Sequence, residues 1–201
     1  EAEVAEQMTA VKTILGEHEA TSVDVSGSET ERLRLWAGRK NAFPAVGRIR
    51  PDYYCMDGTI PRRELPNVLA AIDAASQRYG LPVANVFHAG DGNLHPLILY
   101  DANREGELQQ AESLGAEILS MCIKAGGTVT GEHGVGMEKI DSMCEQFSPA
   151  ELEQFHALKA AFDPAGLLNP GKAVPTLHRC AELGAMHVHG GNLPFPDLPR
   201  F

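Results

Sequence analysis

Apolar residues recur along this chain with two periods, and segments of one period alternate with segments of the other. Val4, Met8, Val11, Ile14 and Leu15 fall on one side of a helix over residues 2–17. Residues 21–25 alternate like a strand. Ser28 followed three places later by Glu31 has the form of a capping box, and predicts a helix through Leu33, Leu35, Trp36 and Ala37 that Pro44 and Gly47 end. Residues 52–60 read as a strand. Pro61 then opens a helix carrying Leu65, Val68, Leu69 and Ile72 to a stop at Gly80.

Residues 83–88 are rich in β-branched and aromatic side chains and read as a strand. Gly90, Asp91, Gly92 and Asn93 tolerate positive φ and form a hairpin turn, with residues 94–100 as the return strand. A long helix over 105–125 places Leu108, Ala111, Leu114, Ile118, Leu119 and Cys122 on its buried face, and Gly126 and Gly127 close it. A short strand at 128–130 and a helix over 139–147 follow. Ser148, Pro149 and Glu151 occupy cap, first and third positions of a helix that runs to Phe162. Asp163-Pro164 breaks it, and Asn169, Pro170 and Gly171 make a turn. From Pro175 the pattern loosens, and Pro194, Pro196 and Pro199 argue against regular structure. The expectation is an α+β fold, an antiparallel sheet with helices packed on one face, formed by residues 1–175, with 176–201 as an extended tail.

Within this framework the chemistry gathers at two places. His88 and His95 lie seven apart across the Gly-Asp-Asn turn, and a hairpin there makes them near cross-strand neighbours. Glu132 and His133 stand side by side between Gly131 and Gly134. Two imidazoles and the Glu132 carboxylate make a three-ligand site with an open position, the form of a catalytic metal centre, with His133 as a general base beside it. Against this stands the plainer reading, in which each histidine is an ordinary hydrogen-bonded or surface residue next to a turn. The turns explain the glycines but not the pairing of His and Glu at both places.

Composition narrows the class. At 201 residues, 43% hydrophobic and 22% charged, the chain has the profile of a soluble globular domain. A net charge of −10 argues against nucleic acid or an anionic membrane as partner. Cys55, Cys122, Cys144 and Cys180 include no CxxC pair, so reduced thiols and a cytoplasmic location are expected. No apolar run is long enough to span a membrane. The chain opens at Glu1 directly into a helical pattern, and is read as a piece of a longer protein. No glycine-rich nucleotide cradle precedes a helix.

Three segments carry a family likeness: 88–101 (HAGDGNLHPLILYD), 126–140 (GGTVTGEHGVGMEKI) and 158–172 (LKAAFDPAGLLNPGK). They resemble the C-terminal part of the FAD-linked 2-hydroxyacid oxidases and dehydrogenases, the group of the glycolate oxidases and D-lactate dehydrogenases. The resemblance implies the cap domain of a flavoprotein of the vanillyl-alcohol-oxidase type, which covers an FAD held by an N-terminal domain. It implies oxidation of a small 2-hydroxy acid by hydride transfer to the flavin, within a complex that includes electron-transfer subunits. It carries His88, His95 and Glu132 over as metal ligands and His133 as the base. Zinc is the first choice for that donor set, with manganese or iron on the same ligands. Asn169 matches the family motif near the flavin, although Asn-Pro-Gly is also an ordinary turn.

Arg39 is the candidate for the substrate carboxylate, because a guanidinium suits a planar bidentate partner; its plain alternative is a solvated residue on a helix flank. Asp91 and Asn93 are either turn formers or groups that orient the imidazoles. His187 and His189 are read as part of a surface tail. Relatives that oxidise 2-hydroxyglutarate carry a polar residue where this chain has Leu97 and a lysine where it has Cys55. Both differences favour a small monocarboxylate. Two other readings stay open from the residues alone: a free-standing metal-dependent hydrolase using Glu132 or His133, and a non-catalytic module that docks on partner subunits.

Overall fold

The structure is a computed structural model and describes residues 2–175. The expected tail at 176–201, with Cys180, His187 and His189, lies outside the described residues. The chain divides into two compact units, Glu1–Ala42 and Phe43–Phe201.

The first unit holds α1 (Ala2–Glu17) and α2 (Glu29–Lys40). Ser28 caps α2 by accepting from the Glu31 N–H, while the Glu31 carboxylate accepts from the Gly27 N–H rather than from Ser28. Neither helix has a buried residue, so the apolar side of α1, including Val4, Met8 and Val11, stays exposed. Residues 21–25 form no strand. Alternation supplies a pleated surface but no hydrogen-bond partner, and no other strand lies among the described residues of this unit.

The second unit is built around its central strand. After α3 (Ala42–Val46) come β1 (Asp52–Cys55), β2 (Gly58–Thr59), a 3-10 turn at Arg62–Glu64 and α4 (Leu65–Tyr79). Then follow β3 (Val83–His88), β4 (Asn93–Tyr100), α5 (Glu107–Lys124), α6 (Ile140–Gln146) and α7 (Pro149–Phe162). All pairings are antiparallel. β3 runs along one edge of β4, and β1 and β2 succeed each other along the opposite edge. This is the expected α+β arrangement. α4 and α5 pack Ile72, Leu114 and Ile118 against Leu94 and Ile98 of β4. The opposite face carries Leu97 and Leu99 with Phe43 and Val46 of α3.

The strand expected over 52–60 is interrupted, and Pro96 supplies the reason. Residues 55 and 97 pair, as do 58 and 94. The same register continued through the gap sets Met56 opposite Pro96 and Asp57 opposite His95. The Met56 N–H donates to the Pro96 carbonyl at 3.1 Å, but Pro96 has no N–H to return. The strand expected at 128–130 likewise shrinks to one bridge, Thr59 with Thr128. Leu108, expected on the buried face of α5, lies in its first turn and is 38% exposed. Cys55 and Cys122 are free thiols, whereas Cys144 is disulfide-bonded, which departs from four reduced thiols.

Candidate functional site

Register decides how the two hairpin histidines meet. His88 pairs with Asn93 and Val86 pairs with His95, so His88 and His95 are diagonal neighbours on one face of the hairpin. That face is the one that carries Leu97 and Leu99, away from α4 and α5. The turn between them needs Gly92: its φ is +72°, and a β-carbon there would meet the Ile60 carbonyl oxygen at 2.2 Å. The two imidazole rings lie edge to face with centroids 5.5 Å apart.

Glu132 closes the arrangement from the far loop. Its Oε1 is 3.0 Å from Nε2 of His95 and 3.6 Å from Nε2 of His88. Donors about 2.1 Å from a tetrahedral cation stand about 3.4 Å from each other, so each of these two separations is that of a pair of ligands on one small ion. Nε2 of His95 supplies a second test of that fit. It is buried and has no hydrogen-bond partner, although a carboxylate oxygen lies beside it. An orphaned buried ring nitrogen is rare, and a ligand bond is one way to satisfy it. Burial first, and then the His133 imidazole, hold His95 below the ordinary histidine pKa, against the opposite pull of Asp57 and Glu132. A neutral imidazole is the metal-binding form.

His133 stacks on His95 with centroids 4.9 Å apart and rings 7° from parallel. Asn93 is buried in β4, not in the turn, and its Nδ2 donates to Glu132 Oε1 at 3.3 Å. It therefore orients the carboxylate, whereas Asp91 is exposed in the turn. Gly131 is required by this contact, because a β-carbon there would sit 2.5 Å from Asn93 Oδ1.

The structure thus brings His88, His95, Glu132 and His133 together. It adds Asp57, which sequence reasoning missed: one ligand atom each from Asp57, His95, Glu132 and His133 lie within 4.8 Å of one another. Asp57 is fully buried, and its Oδ1 is 3.4 Å from Nε2 of His95. Lys139, also missed, is buried beside it with Nζ 3.1 Å from Oδ2. A signal was available, since a carboxylate inside a β-rich run needs a compensating cation when that run is buried.

The remaining candidates lie elsewhere. Arg39 is exposed in the last turn of α2, in the first unit. Asn169 is exposed in the turn after α7, with φ of +45°. That turn is tied to the glycine-flanked loop, because the Ala173 N–H donates to the Gly136 carbonyl at 2.7 Å. Leu97 is fully buried and is the cross-strand partner of Cys55. Burial pushes the Cys55 thiol up to about 11, so it carries no charge near neutral pH.

Comparison with known proteins agrees with this reading of the segments. The family model "FAD linked oxidases, C-terminal domain" matches residues 1–173. The glycolate oxidase subunit GlcD of Escherichia coli (strain K12) is 65% identical over 201 residues, which is all of this chain and 40% of that protein. A protein of Danio rerio titled "Probable D-lactate dehydrogenase, mitochondrial" is 33% identical over 173 residues, 84% of this chain and 34% of its own length. The 4-ethylphenol oxidase of Gulosibacter chungangensis, solved as an isoeugenol complex, aligns with 63% of this chain and over 25% of its own length. Its identity is 18% and its TM-score 0.47, too slight a likeness to carry an argument. The chain spans less than half the length of the curated relatives it matches. With the family model matched over residues 1–173 and the whole chain aligned to a 65% identical relative, this chain belongs to the C-terminal domain family of the FAD-linked oxidases.

Proposed function

We propose that the chain is the substrate- and metal-binding part of an FAD-dependent oxidoreductase that converts a small 2-hydroxy acid, glycolate or D-lactate, to the 2-oxo acid. The observation that carries the proposal is the Glu132 carboxylate standing 3.0 Å from Nε2 of His95 and 3.6 Å from Nε2 of His88, with the His95 Nε2 buried and unpartnered. The residues fit a divalent cation, zinc by donor type. Such an ion, when bound, supplies Lewis acidity that makes a hydroxyl proton easier to remove.

The chain's own residues do the rest. His88, His95 and Glu132 would hold the ion, and Asn93 fixes the Glu132 carboxylate by donating to it. His133 receives the hydroxyl proton as general base. Its ring is exposed and lies against His95, at the edge of the cluster. Arg39 is proposed to receive the substrate carboxylate, because a guanidinium suits a planar bidentate partner, and Asn169 to face the flavin, from the family likeness. The flavin itself belongs to an N-terminal domain, and electrons leave through partner subunits. The registered pair Cys55 and Leu97 supports a monocarboxylate, because the pair offers no charge to a second carboxylate beside His95.

The test uses the full-length protein. Elemental analysis should find one divalent metal per chain, and glycolate or D-lactate should reduce bound FAD. A protein that reduces its flavin at full rate with no metal present would defeat the reading.

A further inference from the structure

The described residues hold one buried ion pair that the roles above do not use, Asp57 with Lys139, at 0% and 2% exposure. A buried ion pair is a poor device for stability, because desolvating both charges offsets most of their attraction. Its use must be sought in what it ties together.

Asp57 sits where Pro96 interrupts the ladder, opposite His95. Its carboxylate accepts from the Thr130 hydroxyl at 2.7 Å. It accepts also from three successive backbone N–H groups: Gly131 at 3.0 Å, Glu132 at 3.2 Å and His133 at 2.9 Å. Successive N–H groups turned onto one anion form a nest, and each such bond fixes backbone dihedrals. Glycines at 131, 134 and 136 give this loop little intrinsic preference for one shape, and Glu132 and His133 are themselves exposed, so the bonds to Asp57 are the main buried tie on the backbone of residues 131–133. Lys139 completes the enclosure. Its ammonium donates to Asp57 Oδ2, to the Asp57 carbonyl at 2.8 Å and to Thr130 Oγ1 at 3.4 Å. Burial works to raise the Asp57 carboxyl pKa, but the bonds from His133, Thr130 and Lys139 outweigh it and hold the group far below the usual carboxylate range.

We propose that Asp57, neutralised by Lys139, is a positioning residue: it clamps the backbone of residues 131–133 so that the Glu132 carboxylate and the His133 imidazole are presented to the cluster of His88 and His95. The metal-binding half of this statement rests on the function proposed above; the clamp on the loop does not.

The full-length protein is compared with Asp57→Asn and with Asp57→Asn/Lys139→Met. Three measurements are made: zinc affinity by chelator competition, amide hydrogen exchange at Glu132 and His133, and thermal melting. Asp57→Asn should weaken zinc binding roughly 10–100-fold and speed exchange at both amides at least roughly tenfold, since one neutral oxygen and an NH2 group replace the two anionic oxygens that accept from them. It should also lower the melting temperature, because Lys139 is left buried and unpaired. The double variant removes that charge, so its melting temperature should recover while zinc affinity and exchange stay as in Asp57→Asn. It also carries the test if Asp57→Asn alone does not fold.

A double variant that regains wild-type zinc affinity and protection overturns the clamp and leaves the pair a matter of charge balance. Loss of zinc with both amides still protected overturns it in another way, by making Asp57 a ligand. If the wild-type protein binds no zinc, the metal reading falls, and exchange at the two amides alone decides the clamp.

Discussion

Nε2 of His95 lies 3.0 Å from Oε1 of Glu132 without a hydrogen bond between them. The two groups come from different parts of the chain, β4 and the loop before α6. A neutral ring nitrogen and a carboxylate this close, outside hydrogen-bond alignment, are placed as two ligands of one cation are placed. The proposed ligand set follows from this relation together with the 3.6 Å separation of His88 Nε2 and Glu132 Oε1.

Replacing Glu132 by Gln keeps the shape of the side chain but removes the anionic donor. The variant should bind zinc more weakly by more than the roughly 10–100-fold that an outer partner is worth. Its fold should be unaltered, because Glu132 is exposed and glutamine keeps an oxygen to accept from Asn93. Titration against a chromogenic chelator, with a melting curve as control, reads both. Zinc affinity equal to wild type would remove Glu132 from the ligand set.

His133→Ala addresses the base. Turnover of the 2-hydroxy acid should fall by roughly 10²–10⁴, the range for losing a general base. Metal stoichiometry should stay near wild type, because His88, His95 and Glu132 remain. The readouts are pre-steady-state flavin reduction and elemental analysis. Near-normal flavin reduction would assign the proton to another group.

At the start of α7 the capping box pairs the Ser148 hydroxyl with the Glu151 N–H and the Glu151 carboxylate with Ser148. Ser148→Ala should lower stability by about 1 kcal/mol and leave zinc binding unchanged. The bonds from the Ser148 side chain and then its N–H hold the Glu151 carboxyl below its ordinary pKa. A carboxyl depressed in the folded state contributes stability that is present above its unfolded pKa of about 4.3 and lost as pH falls through the folded value. The variant should therefore lose less stability than wild type on acidification below about pH 5. An equal loss in both proteins would show that the cap is not formed in solution.

Leu114 is fully buried between α5 and the sheet. Leu114→Ala should cost roughly 2–5 kcal/mol, through lost burial and the cavity left behind. Denaturant unfolding measures this. A loss below about 1 kcal/mol would mean that α5 is not packed on β4 as described.

Legibility differed from element to element. α1 and α7 began and ended where their patterns said, because caps, prolines and apolar spacing act within a few residues. That the hairpin histidines and the Glu132-His133 pair would meet was legible, since histidines and carboxylates among turn glycines have little packing role. The strands at 21–25 and 128–130 were misread for a common reason. Strand pattern is local, but a strand exists only where a partner takes up its hydrogen bonds. Asp57 was missed because it was absorbed into a run read as continuous.

By itself the sequence determined the α+β class, the helix limits set by capping, and the identity of the groups offered for chemistry. Each of these depends on side chains a few positions apart. Only the tertiary structure decided that Pro96 would open the ladder opposite Met56, that Asp57 would then turn inward to meet Lys139, and that His88 and His95 would lie diagonally rather than face to face. Those outcomes depend on the register of strands distant in the chain and on the balance of buried charge, which no local window contains.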